Sequence, residues 1–136
     1  MADIFEIVVT LDLGPGLPAD ELDELRWHLG LGTRPAVLPL TGGFDPEPVF
    51  ARRGPAWKVS GAVVAELAER DGRGWALTVR QEVHPDEFDA LTALLTGVAR
   101  HAQGVGFAGF VRFYEDDVPE PIMLSGGQLR LPAALE

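Results

Sequence analysis

From Ile4 to Leu13 apolar side chains fall at every second position, Phe5, Ile7, Val9, Leu11 and Leu13, while Glu6, Thr10 and Asp12 stand between them. A period of two puts all the apolar residues on one face of an extended chain. Such a strand must be covered on that face and is free to meet water or a partner on the other. The first residues therefore already call for a sheet with one buried face. Gly14-Pro15-Gly16 ends the strand.

The period then changes. Between Pro18 and His28 the residues Leu22, Leu25 and Leu29 recur at helical spacing, with Pro18 at the start, Asp20 and Glu21 in the first turn and Gly30 as the stop. Residues 31–55 are rich in Gly and Pro and keep no period, which predicts a long connection with at most a short extended piece at residues 48–51. Residues 57–69 fit two patterns. As a strand, Trp57, Val59, Val63, Ala65 and Leu67 share a face, and the turn Asp71-Gly72-Arg73-Gly74 leads into Trp75, Leu77 and Val79. As a helix over residues 60–70, Ser60 caps it and Val63, Val64, Leu67 and Ala68 form an apolar stripe, giving a three-helix α+β sandwich. The hairpin is preferred, because its cross-strand match extends over several pairs.

Residues 75–83 read as a strand and residues 85–102 as a helix, with Phe88, Leu91, Leu95, Val98 and Ala102 on one face. Residues 107–115 alternate again, Phe107, Val111 and Phe113 against Phe110, Arg112 and Tyr114, and residues 121–131 suggest a small hairpin around Ser125-Gly126-Gly127. Strand, helix, strand, strand, helix, strand is the order of the ferredoxin-like split βαβ motif, an antiparallel α+β sheet with two helices on one face. The expected architecture is one domain of residues 1–136 with its core at about residues 3–115, and two such domains pair face to face in dimeric α+β barrels. Fold alone licenses no function.

Composition removes several classes. The 136-residue chain contains no Cys, so disulfides, thiolate zinc sites and a cysteine nucleophile are excluded. A net charge of -10 opposes binding to a nucleic-acid backbone. No run approaches the roughly 18 apolar residues of a membrane-spanning helix, and no basic and apolar leader opens the chain, so a cytoplasmic location is expected. Lys58 is the single lysine among abundant Ala, Gly, Pro and Arg, a bias expected of a GC-rich bacterial genome.

Gly104, Gly106 and Gly109 spell the dinucleotide fingerprint but follow a helix and enter a strand, the reverse of what phosphate binding needs, so a tight turn is expected instead. The proposed topology brings His28 and His84 toward one edge with Glu82 and Glu115. There, His84 or Glu82 are the candidate proton carriers, and His28, His84 and Glu115 are weak candidate metal ligands. The carboxylates Glu115, Asp116 and Asp117 read as a solvated turn rather than a cation loop. Trp27, Trp57 and Trp75 are expected to pack in the core. The reverse face of the sheet, with Glu6, Val8, Arg80, Glu82, Phe110, Arg112 and Tyr114, is too apolar to be wet and too charged to be dry. Arg80, Arg112 and Tyr114 are the candidate ligand-binding residues, for an anionic or carbonyl-bearing small molecule. The same face also suits a second copy of the chain, or ion pairs within one chain. The first expectation is thus a non-catalytic homodimer that binds a protein partner or small ligand without a cofactor. The alternative is a small acid-base enzyme with a barrel-like cleft. A third reading docks a basic partner on the residue 31–55 connection and the acidic tail.

Overall fold

The computed structural model describes residues 3–135. Five long elements follow the periods read above: strand β1 (Phe5–Leu13), helix α1 (Ala19–His28), strands β3 (Ala62–Glu69) and β4 (Trp75–Val83), and helix α2 (Phe88–Ala99). A two-residue strand β2 (Gly54–Pro55) precedes β3, and β5 (Ala102–Gln103), β6 (Gly106–Phe113), β7 (Glu120–Ser125) and β8 (Gln128–Arg130) follow α2. All strands join one antiparallel sheet of eight, in the order β2-β3-β4-β1-β6-β7-β8, with β5 paired to the end of β1. The α+β class is as expected, while the sheet is larger than the four strands of a split βαβ unit.

The odd residues of β1 are buried and join a single apolar cluster. Ile7, Val9, Leu11 and Leu13 meet Leu77 and Val79 of β4, Leu25 of α1, and Leu91, Leu94, Leu95 and Val98 of α2. Both helices thus cover the same sheet face. Gly30, with positive φ, closes α1: its N–H and that of Leu31 return to the carbonyls of Trp27 and Arg26, a Schellman ending. The start of α2 is seated by Phe88 edge-on to Phe5, which also stacks against Phe113. The C-terminal hairpin of β7 and β8 turns through Gly126 and Gly127, both at positive φ, and adds Ile122 and Leu124 to the core, while the 3-10 turn at Ala133–Leu135 that follows adds Leu135.

Several expectations need correction. Residues 60–70 are not helical: Val64 to Glu69 pair with Arg80 to Trp75 along β4, and the three-helix alternative falls with them. Trp57 is not a core residue but is 73% exposed, because residues 57–60 bend away before the strand starts and period-two parity no longer applies to them. The second helix stops at Ala99, with Ala102 in β5 and a 3-10 turn at Pro85–Glu87 ahead of it. Phe107 does not share a face with Val111. A bulge between Phe107 and Gly109 turns it to the open face at 67% exposure, because one extra residue reverses alternation. Gly109 makes the bulge possible: its φ is 149°, and a Cβ there would strike the Val8 carbonyl. Gly104 and Gly106, both at positive φ, serve the connection from β5 into β6, and Gly109 serves the bulge.

The connection over residues 31–55 is not loose. It contains a 3-10 turn at Gly42–Phe44 and strand β2, and it buries Val49 and Phe50. Buried polar side chains of the framework hold it. Glu24 receives the N–H groups of Leu40 (2.6 Å) and Thr41 (3.0 Å) and the Thr41 hydroxyl (2.6 Å). Gln81 on β4 receives Arg52 N–H and donates to Arg52 and Val64 carbonyls. A structureless loop of this length is costly; here side chains replace the missing ladder.

Candidate functional site

The residues of the open sheet face are set by register. Glu6 lies opposite Glu82 on one neighbouring strand and Arg112 on the other, and Val8 lies opposite Arg80 and Phe110. Cross-strand partners project to the same side, so these side chains form two rows on the face without helices.

Glu6, almost fully buried, is the hub. Its Oε2 accepts from Nε (2.8 Å) and Nη2 (2.7 Å) of Arg80, and its Oε1 accepts from Nε of Arg112 (3.0 Å). The outer nitrogens are also engaged. Arg80 donates to the carbonyls of Ala62 and Ser60, and Arg112 Nη1 donates to those of Tyr114 and Asp116. Both guanidinium forks are thus largely occupied within the chain. Around them Val8, Val64, Phe107, Phe110 and Met123 remain partly or mostly exposed on the open face. At its other end a cavity of about 370 Å³ opens beside the bulge, lined by Thr10, Ala76, Thr78 and Phe107.

Tyr114 lies just past the end of β6, its N–H on the Ile4 carbonyl and its ring 5.8 Å from the Lys58 ammonium. Partial desolvation and the neighbouring Glu115 and Asp3 carboxylates raise its phenol above the usual range.

Glu82 occupies the same row as Glu6 but serves a different end. Its carboxylate accepts the N–H groups of Trp57 (2.6 Å), Lys58 (2.6 Å) and Val59 (3.3 Å), with Arg52 Nη1 at 3.4 Å. Burial alone raises a carboxyl pKa; here the backbone donors and Arg52 outweigh it, and Glu82 is held below the usual carboxylate value. Arg52 also stacks on Trp57 at 4.3 Å. Glu82, Arg52, Trp57 and His84 line one cavity of about 260 Å³. His84 begins the next turn as a capping residue: Nδ1 accepts the Asp86 N–H and its own N–H goes to Glu87.

His28 is fully buried. Nδ1 accepts the Val49 N–H, so the proton of the neutral ring sits on Nε2, 3.1 Å from Glu24 Oε2 and 3.2 Å from the Thr41 hydroxyl. Burial lowers its pKa more than Glu24 raises it. His28 is thereby spent on the loop, His84 on a cap, and Glu115 is exposed beside Tyr114. Among the described residues no group of three or more His, Cys, Asp or Glu is arranged to hold a metal ion.

Sequence patterns did not reveal Arg52, Gln81, Thr41 or Glu24 as holders of the connection. Only Glu24 carried a readable signal, four residues before His28 on one helix face. No protein-family model matches the chain, and comparison with curated proteins and with solved structures also finds no match. No helix among the described residues is long and apolar enough to cross a membrane.

Proposed function

We propose that this chain is a non-catalytic, cytoplasmic bacterial binding protein that works as a homodimer, its open sheet face covered by a second copy. The observation that carries the reading is the contrast on that face. Arg80 and Arg112 have most of their donors taken by Glu6 and backbone carbonyls, whereas Val8, Val64, Phe107, Phe110 and Met123 lack cover. An anion-binding surface needs free forks; an association surface needs apolar area and internally neutralised charge. Charge supports the same reading. On this face Glu6, Glu66, Glu82 and Asp12 are answered by Arg80 and Arg112, by Arg52 at 3.4 Å from Glu82 and by Arg70 at 3.2 Å from Asp12, so two copies of an acidic chain can meet there without strong repulsion.

In the finer fold reading, the run β6-β1-β4-β3 with α1 and α2 is a ferredoxin-like split βαβ core, extended by β7 and β8 at one edge and β2 at the other. Two copies then resemble a dimeric α+β barrel, and the cavity beside the bulge becomes an enclosed cleft where a small ligand can lie. Acid-base catalysis by Glu82 or His84 is disfavoured by the same kind of bookkeeping. The Glu82 carboxylate is saturated by donors that favour its charged form, and a proton carrier needs a pKa near the working pH.

Sedimentation equilibrium tests the proposal. Cover of the open face by a second copy predicts wild-type protein that is dimeric at micromolar concentration. Val64→Asp with Phe110→Asp should yield a folded monomer. A wild-type monomer throughout that range overturns the reading.

A further inference from the structure

We infer that a second surface, the groove between residues 44–57 and residues 84–90, docks an extended segment of another protein that carries basic and apolar residues. Two cavities of about 350 and 260 Å³ adjoin there, sharing Val49 and Glu87 in their walls. Ile4, Pro46, Pro48, Val49 and Ala90 supply apolar lining. Each end exposes a large aromatic ring, Phe44 at 53% and Trp57 at 73%, the latter with Arg52 stacked on it at 4.3 Å.

The wall is also built to stay in place. Thr41, Val49, Arg52 and Trp57 are each fixed by a buried polar side chain, respectively Glu24, His28, Gln81 and Glu82. An apolar groove held open in advance avoids part of the ordering cost of binding.

Charge identifies the occupant. Glu47, Asp86 and Asp89 line the Phe44 half; among the described residues no Lys or Arg pairs with any of them, and Asp86 has only the His84 ring, Nδ1 at 3.4 Å. Asp45 on the same rim is matched by Arg34, and Glu87 by the His84 N–H. A chain of net charge -10 disfavours a second copy here, since these carboxylates would meet further acid. A basic residue beside apolar ones satisfies both the rim and the floor, by the groove logic of short-peptide recognition.

The test uses fluorescence anisotropy with the full-length protein and labelled synthetic hexapeptides of alternating Lys-Leu, Lys-Ser and Glu-Leu. Lys-Leu should bind in preference to both others and weaken as salt rises, because screening shortens the reach of the rim charges. Phe44→Ala with Trp57→Ala, and separately Glu47→Gln with Asp86→Asn and Asp89→Asn, should each reduce affinity about tenfold or more. Gln128→Ala on the exposed strand β8, away from both surfaces, should leave it unchanged. Equal binding of Lys-Ser, indifference to both sets of variants, or no Lys-Leu binding up to roughly 1 mM overturns the inference. So does conversion of a wild-type dimer to monomer by the Phe44 and Trp57 changes, which would assign the groove to a second copy. Melting curves of each variant confirm that it is folded.

Discussion

Replacing Glu6 by Gln keeps the shape of the hub and removes its charge. In the native cluster one carboxylate accepts from three guanidinium nitrogens, at 2.7, 2.8 and 3.0 Å. The amide offers one acceptor oxygen and turns its NH₂ toward an arginine, so at least one bond becomes a donor facing a donor. Two cations then share a site with no anion between them. Breaking one member of a buried ionic cluster costs about 3–5 kcal/mol. Arg80 and Arg112 side chains keep 26% and 22% exposure, so water recovers part of that, and a loss of about 2–3 kcal/mol is expected. At about 4 °C per kcal/mol for a domain of this size, Tm falls by roughly 8–12 °C. The freed forks should also make the variant gain more stability than wild type from added phosphate. Thermal unfolding followed by circular dichroism measures both effects. A loss below about 0.5 kcal/mol, the scale of an ordinary surface change, would refute the cluster's role. Replacing all three residues together, Glu6→Leu, Arg80→Met and Arg112→Met, should restore much of the loss, since an apolar set leaves no charge unpaired.

Glu82→Gln should release residues 57–59 at a cost of about 1.5–3 kcal/mol, as charge-assisted bonds to successive amides weaken. The readouts are the unfolding midpoint and faster amide exchange at Trp57 and Lys58. Acid should destabilise the fold in two steps. His28 has a folded pKa below 6.5, so the unfolded chain takes up its proton first, and stability falls as pH drops below about 6.5, by at most about 1.4 kcal/mol per pH unit until the folded value is reached. The folded pKa of Glu82 lies below 4.5, so its contribution is complete above that value and is lost as pH falls through the folded one. His28→Gln should abolish the upper step; denaturant unfolding from roughly pH 7 down to roughly pH 3, which passes through the upper step and enters the lower one, would show an unchanged slope if the assignment is wrong.

How much of this was legible in the chain depended on whether a period ran uninterrupted. β1, β4 and α2 kept theirs, and their buried faces are those the apolar residues mark. The hairpin of β3 and β4 was legible too, as Val63, Ala65 and Leu67 alternate with exposed neighbours. Phe107 was misplaced because a bulge inserts a residue that no composition signals except Gly109 itself. Trp57 was misplaced because the distant Glu82 captures its backbone, a contact set by tertiary structure rather than local pattern. The placement of Glu6, Arg80 and Arg112 on the open face followed from parity alone. Which arginine meets which carboxylate needed the register, since Glu6, Glu66 and Glu82 all project to that side.

The absence of cysteine makes one measurement especially direct. Thr78→Cys places a single thiol on the open face near the middle of β4, where a two-fold contact would bring two copies together. A spin label on that thiol, read by double electron–electron resonance, should give a sharp intermolecular distance that disappears when Val64→Asp and Phe110→Asp are added. A label with no intermolecular coupling at micromolar protein, or one whose coupling survives those changes, would contradict the account that a second copy covers this face.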